Sequence, residues 1–300
     1  MALRRKTKGI LAAVVVYIIW GFTLLASTLA QREASPSIFL AYRFVIATVV
    51  MLIPVLLGRQ RLSFKGKNLW WLLALALAEP VIYFPCEQFG LKYTNSSFTG
   101  IMISVIPVFT MLLAAVIFKD RPSALQWLFT FVSIGGVIAI TLINGSDSGA
   151  VRPLGVLFLA GAVICGGAYG ILCRKLADSF SIYEKTFVTL FMGALFFAVW
   201  ALLENRADLT ALVSPLASPE FVLSSLYVSV FASVIGYTLL NYALENAPMA
   251  NVISLNSLVT VLSVISGVLF LGEPFSLKAG IAMLVVLLGI WGVQRFGPET

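Results

Sequence analysis

Three ionisable side chains stand where hydropathy disfavours them. Glu79 and Glu87 lie inside the run "LWWLLALALAEPVIYFPCEQFGL" that starts at Leu69, and Arg43 lies inside another apolar run. A charge at the centre of a bilayer costs about 2.5–3.5 kcal/mol on insertion scales, so one kept there binds, pairs or moves an ion. Glu79, Tyr83 and Glu87 follow an i, i+4, i+8 spacing, which on a regular helix forms one stripe. At about 1.5 Å per residue, Glu79 falls about 15 Å in from Leu69, near the midplane, and Glu87 about 12 Å beyond it. A carboxylate withdrawn from water holds its proton more tightly unless a cation or hydrogen-bond donors offset the burial. Such a group can take a proton and a cationic substrate in turn, the chemistry of proton-coupled exchange. Pro80 and Pro85 free backbone carbonyls, which a membrane helix tolerates where it lines a cavity. The competing reading makes the acids structural glue, paired with Arg43 or bonded to Tyr or Ser. Within this stripe Glu87 leads as the substrate or proton site, and Glu79, beside Pro80, as the brace.

The second half of the chain offers Tyr237 and Asn241, again at i, i+4. An offset of 154 pairs them with Tyr83 and Glu87, and an offset of 153 pairs Asn241 with Gln88. Either register gives a site with an acidic wall and a neutral amide wall. That suits a substrate with two distinct ends, or a single cationic group. Tyr17, Trp20 and Tyr169 sit at or near mid-span, where their faces could stack a substrate or hold a cation; residues of this kind are more often lipid-facing or core. Gln88 lies one residue off the stripe, packed between helices or reaching the cavity. Asn251 and Asn256 bond across helices or line the path. Arg43 pairs with Glu87, meets an anionic substrate, or anchors its own helix. Glu273 before Pro274 reads as a helix start, and the glycines of 155–170 and Gly135–Gly136 as points of close helix packing.

These residues need elements to hold them, and composition limits what those can be. The chain has 300 residues, 60% hydrophobic and 11% charged, with a mean hydropathy of +1.00. That is a polytopic membrane protein. Histidine is absent, which excludes an HExxH zinc site, a Ser–His–Asp triad and an HxxxxD acyltransferase. Cys86, Cys165 and Cys173 sit in apolar runs without disulfide or metal spacing and read as small buried hydrophobes. The basic start "MALRRKTKGILAAVVVYIIW" resembles a signal peptide, but its apolar run continues without a cleavage motif, so it is expected to be a retained first helix.

Apolar runs long enough to cross a bilayer number ten: 9–30, 37–58, 68–91, 97–118, 123–143, 153–175, 182–203, 220–243, 249–271 and 275–294. With the N-terminus inside, the inside loops carry fourteen Lys and Arg and the outside loops five. This bias predicts that both termini are cytoplasmic, and it explains the net charge of +7 without a nucleic-acid partner. Spans three to five and eight to ten resemble each other: "YFPCEQFGLKYTNSSFTGIMISVIPVFTMLLAAVIFKDRP" from Tyr83 parallels "YTLLNYALENAPMANVISLNSLVTVLSVISGVLFLGEP" from Tyr237. A weaker match relates "YIIWGF" to "GGAYGI". An odd number of spans per half inverts the second copy, and inverted repeats set a binding site at the midplane between the halves.

The order of motifs carries a family resemblance over nearly the whole chain. "WG" at Trp20–Gly21, "AYR" ending at Arg43, "GLKYTNSSFTGIMISVIPVFTMLLA", "NYALENAPMANVISL", "FLGEP" and "AGIAMLVVLLGIWGV" together resemble the drug/metabolite transporter superfamily, in its ten-helix EamA-type branch. Thr260 stands about where that family often has a proline matching Pro107, so the ninth span is expected to kink less. The resemblance implies an all-α integral membrane fold of ten transmembrane helices, in two inverted-topology five-helix repeats at 1–146 and 150–297. It implies a secondary transporter, an exporter of small metabolites such as amino acids or related amines, working by alternating access. It is not an enzyme and needs no cofactor, and the setting is the bacterial inner membrane. Its partners are a small-molecule substrate, membrane lipid and a proton if transport is coupled, and it acts as a monomer or homodimer. An organic-cation exporter, an uncoupled facilitator or exchanger, and a non-transporting scaffold are the rival readings.

Overall fold

The computed structural model describes residues 2–117, 122–147, 151–176, 178–247, 252, 255–274 and 276–296, without the side chains of 2–6, 144–147, 174, 241, 244 and 245. Among the described residues nine helices are long and apolar enough to cross a membrane: Thr7–Glu33, Pro36–Leu56, Trp70–Tyr93, Ser96–Ile117, Ala124–Ile143, Pro153–Cys173, Ile182–Glu204, Pro219–Leu240 and Leu277–Arg295. The shorter apolar helix Ser257–Leu271 lies between the last two. In chain order these are spans one to ten, and the chain is a multi-pass, all-helical membrane protein. In lipid, only segments that satisfy their own backbone groups can cross.

Helix ends follow local chemistry. The side chains of Asn95, Ser218 and Ser276 accept from Phe98 N, Phe221 N and Ala279 N, capping spans four, eight and ten. Ser181 and Glu184 form a reciprocal capping box at the start of span seven. Pro36 and Pro219 occupy first-turn positions that donate no hydrogen bond. Gly272 ends span nine at φ 66°, a left-handed turn that a side chain would strain.

The spans pair in a pattern that the repeat dictates. Span two packs on seven, five on ten, one on eight, three on six, and the first half of four on nine. Exchanging each span for the one five places along maps this set of pairs onto itself. That is the signature of two equivalent halves, and five spans per half makes their orientations opposite. Lipid tails give little drive to associate apolar helices, so close approach of small residues matters. A Cβ on Gly289 would lie 2.5 Å from Ser133 N, and one on Gly136 2.9 Å from Val286 N, so spans five and ten meet almost backbone to backbone. Gly135 has nothing within 4 Å, so of the adjacent glycines only Gly136 serves packing.

The two ends of the bundle differ. On the side away from the termini, spans one, three, four and nine are tied together. Gln31 Nε2 donates to Gln88 Oε1 at 2.7 Å. Glu273 accepts from Ser96 N at 2.7 Å, Ser97 N at 2.9 Å and Ser97 Oγ at 2.5 Å. This corrects the expectation for Glu273: span ten begins at Leu277, capped by Ser276, and the acid serves the N-terminus of span four. On the termini side, the loop between spans two and three is clamped to span seven. Buried Glu184 accepts from Ser63 N, Lys67 Nζ and Ser181 N, each at 2.8 Å.

Candidate functional site

Spans one and four are interrupted at Phe22 and at Ser104–Val105, and among the described residues spans three and eight, equivalent in the two repeats, depart from the α-helix in another way. Each contains a widened π-type turn, at Leu77–Ile82 and Tyr227–Ile235. In the first, Pro80 withholds an N–H and Glu79 adopts an extended backbone, φ −145° and ψ 116°. Such turns release carbonyls from the helical ladder and recur at functional sites. Ala232 O, in the second, accepts from Trp20 Nε1 at 2.9 Å.

Between the widened turns lies a central cavity. Its walls are Arg43 and Phe44 of span two, Glu79, Pro80 and Phe84 of span three, Tyr169 of span six, Thr186, Thr189 and Leu190 of span seven, and Ser233 and Tyr237 of span eight. The space open to water centres is ≈ 20 Å³, room for a water molecule or two. Tyr237 OH donates to Glu79 Oε1 at 3.2 Å, joining the two repeats across it. Gly193 lets the wall close up, since a Cβ there would lie 2.5 Å from Phe44 Cδ1 and 2.7 Å from Pro80 Cγ. Thr186 and Tyr237 also line a larger cleft of ≈ 270 Å³, with Met51, Tyr183, Val234, Thr238 and Tyr242. That cleft runs between spans two, seven and eight towards the termini side. Tyr183 OH donates to Met51 O across it.

The structure therefore sorts the sequence candidates. Glu79, Tyr237, Tyr169 and Arg43 meet at the cavity. Glu87 and Gln88 lie outside its wall, buried in a closed relay. Tyr83 OH donates to Glu87 Oε1 at 3.0 Å, Gln88 Nε2 to Glu87 Oε2 at 2.9 Å, and Gln31 in turn to Gln88. Trp20 packs edge-on between Tyr17 and Tyr237, at 5.8 and 5.6 Å. Tyr17 is core, buried with Ala13, Val16 and Ala243. Asn256 precedes the helix of span nine and caps nothing with its side chain. Asn241 lies on span eight with its side chain outside the described residues, and Asn251 falls wholly outside them. Sequence reading missed Thr186, Thr189 and Ser233, whose hydroxyls are unremarkable in apolar runs. Their signal was positional: Ser233 is Glu79 advanced by the offset of 154.

Arg43 is the unusual member. It is 6% exposed, its guanidinium lies 4.2 Å over the Phe84 ring and 5.6 Å from that of Phe44, and Nε and Nη1 are enclosed without a hydrogen-bond partner. No carboxylate among the described residues comes within 4.0 Å of it; the two ion pairs present are Arg32–Glu220 and Lys67–Glu184.

Two helical repeats around a buried, charged central cavity are the architecture of a membrane transporter, and the family match places it in the drug/metabolite class. The model of the EamA-like transporter family matches residues 7–142 and 153–295, and the chain belongs to that family. It is 30% identical to the uncharacterized transporter YcxC of Bacillus subtilis (strain 168), over 97% of this chain and 94% of that one. It is 25% identical to the WAT1-related protein At2g39510 of Arabidopsis thaliana, over 93% and 83%. A solved crystal structure shares the fold, with a TM-score of 0.65 at 16% identity over 95% of this chain and 94% of its own. The family is one of transporters, not enzymes.

Proposed function

We propose that the chain is a secondary transporter that exports small metabolites, amino acids or related amines, from the cytoplasm by alternating access. Its halves are residues 1–146 and 150–297, it sits in a bacterial inner membrane with both termini cytoplasmic, and a proton carried on Glu79 or Glu87 couples the cycle. The observation that carries this reading is the Glu79–Tyr237 bond at 3.2 Å, made between the two repeats inside the central cavity. A carboxylate held at such a junction can exchange its protein partner for a proton or for cargo, and both exchanges change how firmly the halves are joined. The unequal ends fit one state of that cycle. The far side is sealed by Gln31–Gln88 and Glu273–Ser97, and the cleft beside Thr186 and Tyr237 leads to the termini side. With the termini in the cytoplasm, as the distribution of Lys and Arg favours, this is an inward-facing state.

The test is uptake into proteoliposomes of a panel of amino acids and of mono- and polyamines, with and without an imposed pH gradient. The wild-type protein should move at least one compound saturably, faster when the gradient drives protons against the cargo. Glu79→Gln and Glu87→Gln, checked for unchanged elution and melting, should be compared for loss of the pH response. Full coupling retained in both variants would remove these acids from the mechanism, and no flux for any compound would remove the transport reading.

A further inference from the structure

Sequence offsets match the two repeats residue by residue around the cavity, and what they contribute differs in charge. Spans two and seven begin alike, at Ser35 and Ser181, both N-cap residues with ψ 157°. That offset of 146 takes Arg43 to Thr189 and Phe44 to Leu190, and all four line the cavity. In spans three and eight, the offset of 154 takes Glu79 to Ser233, both cavity residues in widened turns. One repeat thus supplies a cation and an anion, and the other supplies a hydroxyl at each equivalent place.

The two charges do not neutralise each other directly. Glu79 is engaged by Tyr237 through Oε1, Glu87 by Tyr83 and Gln88 through both oxygens, and among the described residues no carboxylate reaches Arg43 within the 4.0 Å of an ion pair. Arg43 is instead fixed by its face against Phe84, at 4.2 Å. Stacking holds the plane of a guanidinium and leaves the N–H groups at its edge free to donate. An enclosed donor without a partner is costly to maintain, and two of the Arg43 nitrogens, Nε and Nη1, have none among the described residues, in a residue of the cavity wall.

We infer that Arg43 is the receptor for a carboxylate on the cargo, so that the transported molecule is a small zwitterion with its carboxylate at Arg43 and Thr189 and its ammonium group at Glu79 and Ser233. This rests on the reading of the central cavity as the transport site, and it separates amino-acid-like cargo from simple amines and organic cations. A cation lacking the acid leaves the guanidinium unpaired, and a site built to pair a buried polar group rejects analogues that leave it orphaned. The cavity must widen beyond its present ≈ 20 Å³ to admit such a cargo, and the ≈ 270 Å³ cleft sharing Thr186 and Tyr237 is the way in.

The experiment uses the full chain and reads binding apart from flux. Radiolabelled phenylalanine, leucine, threonine and lysine are each set beside their methyl esters and decarboxylated amines, in scintillation-proximity binding to the purified protein and in proteoliposome uptake. The expected result is that at least one amino acid binds, and that its ester and amine bind roughly tenfold or more weakly. Arg43→Gln should lower the acid to the level of its ester, and Arg43→Lys, which keeps the charge but not the planar donors, should fall between. Should Arg43→Gln fail to fold, Arg43→Lys and the wild-type analogue series still decide. Equal binding of acid and ester, an unchanged preference in a folded Arg43→Gln protein, or binding of amines alone would overturn the inference. Flux without a carboxylate preference would refute this inference and leave the transport reading standing. Binding with that preference but without flux would remove the transport reading and leave Arg43 as a carboxylate-binding residue only, and neither binding nor flux would overturn both.

Discussion

Glu273 and Gly267 form one joint, and substituting both should cost little more than substituting one. The Glu273 carboxylate accepts three hydrogen bonds from Ser96 and Ser97, two of them from first-turn N–H groups that have no partner within their own helix. Losing a charged cap at that position removes charge-assisted bonds and a favourable dipole interaction, about 2–4 kcal/mol in all for Glu273→Ala. The carboxylate fits there only because residue 267 has no side chain. A Cβ on Gly267 would lie 2.3 Å from Glu273 Oε2, 2.6 Å from Ser97 Oγ and 2.7 Å from Ser96 Oγ. Gly267→Ala must therefore expel the acid and lose the same bonds, again about 2–4 kcal/mol. With the acid already gone, the nearest of the atoms that crowd the methyl group are two serine hydroxyls, which can rotate away. The double variant is expected to cost about 3–4 kcal/mol where additivity would give about 4–8, a coupling within the range for residues in contact. Reversible unfolding of the four proteins in mixed SDS micelles, followed by tryptophan fluorescence, measures the cycle. Additivity to within about 0.5 kcal/mol would refute the shared-joint argument.

Three further outcomes follow from the same contacts. Gln31→Leu removes the donor to Gln88 Oε1, worth about 0.5–1.5 kcal/mol, so far-side opening should rise about two- to twelvefold; maleimide labelling of Thr94→Cys in a cysteine-free background reads it, and an unchanged rate counts against the latch. Gly289→Ala, facing the Ser133 backbone at 2.5 Å, should destabilise spans five and ten by about 1–3 kcal/mol. Gly135→Ala, in open space, should stabilise by up to about 1 kcal/mol; equal effects of the two would refute the packing assignment. Lys67→Met should cost about 1–3 kcal/mol, because it strands Glu184 in a site where its side chain is 4% exposed. Arg32→Ala, from a pair 53% and 41% exposed at 3.8 Å, should change stability by less than about 0.5 kcal/mol in the same assay.

What the sequence hid can be traced to particular backbones. Ten apolar runs, the charge bias and the echo between Tyr83 and Tyr237 made the spans and the repeat legible, because bilayer length and backbone satisfaction leave few alternatives. The stripe of Glu79, Tyr83 and Glu87 was legible only under the assumption of a regular helix. The widened turn at Leu77–Ile82, with Glu79 extended, breaks that projection between the first acid and the other two residues. Glu79 consequently faces the cavity, and Glu87 turns into the relay that ends at Gln31. Pro80 marked where the break would come, but no rule of spacing says how far a break rotates what precedes it. Glu273 was misread for a related reason. Its target, the start of span four, lies 176 and 177 residues away in sequence, and a cap supplied from another helix leaves no local motif.

The same breaks explain how a pseudo-symmetric fold holds an asymmetric site. Two copies of one five-helix unit would present identical groups to the cavity, and a symmetric pair of acids or of cations at its centre would repel. Here the equivalent positions hold Arg43 against Thr189 and Glu79 against Ser233, so the charged pair belongs wholly to the first repeat. Tyr237 of the second repeat touches that pair through a single bond to Glu79. Trp20 Nε1 to Ala232 O is a second polar contact between the repeats nearby, and the Tyr237–Glu79 bond is the one of the two that engages a cavity charge. Motion of one repeat against the other therefore changes that bond and leaves both charges on the same body. A cargo that bridges Arg43 to Thr189 and Glu79 to Ser233 would replace it with two, which joins the halves more firmly when loaded than when empty. That difference in coupling between loaded and empty states is the requirement for transport that waits on cargo.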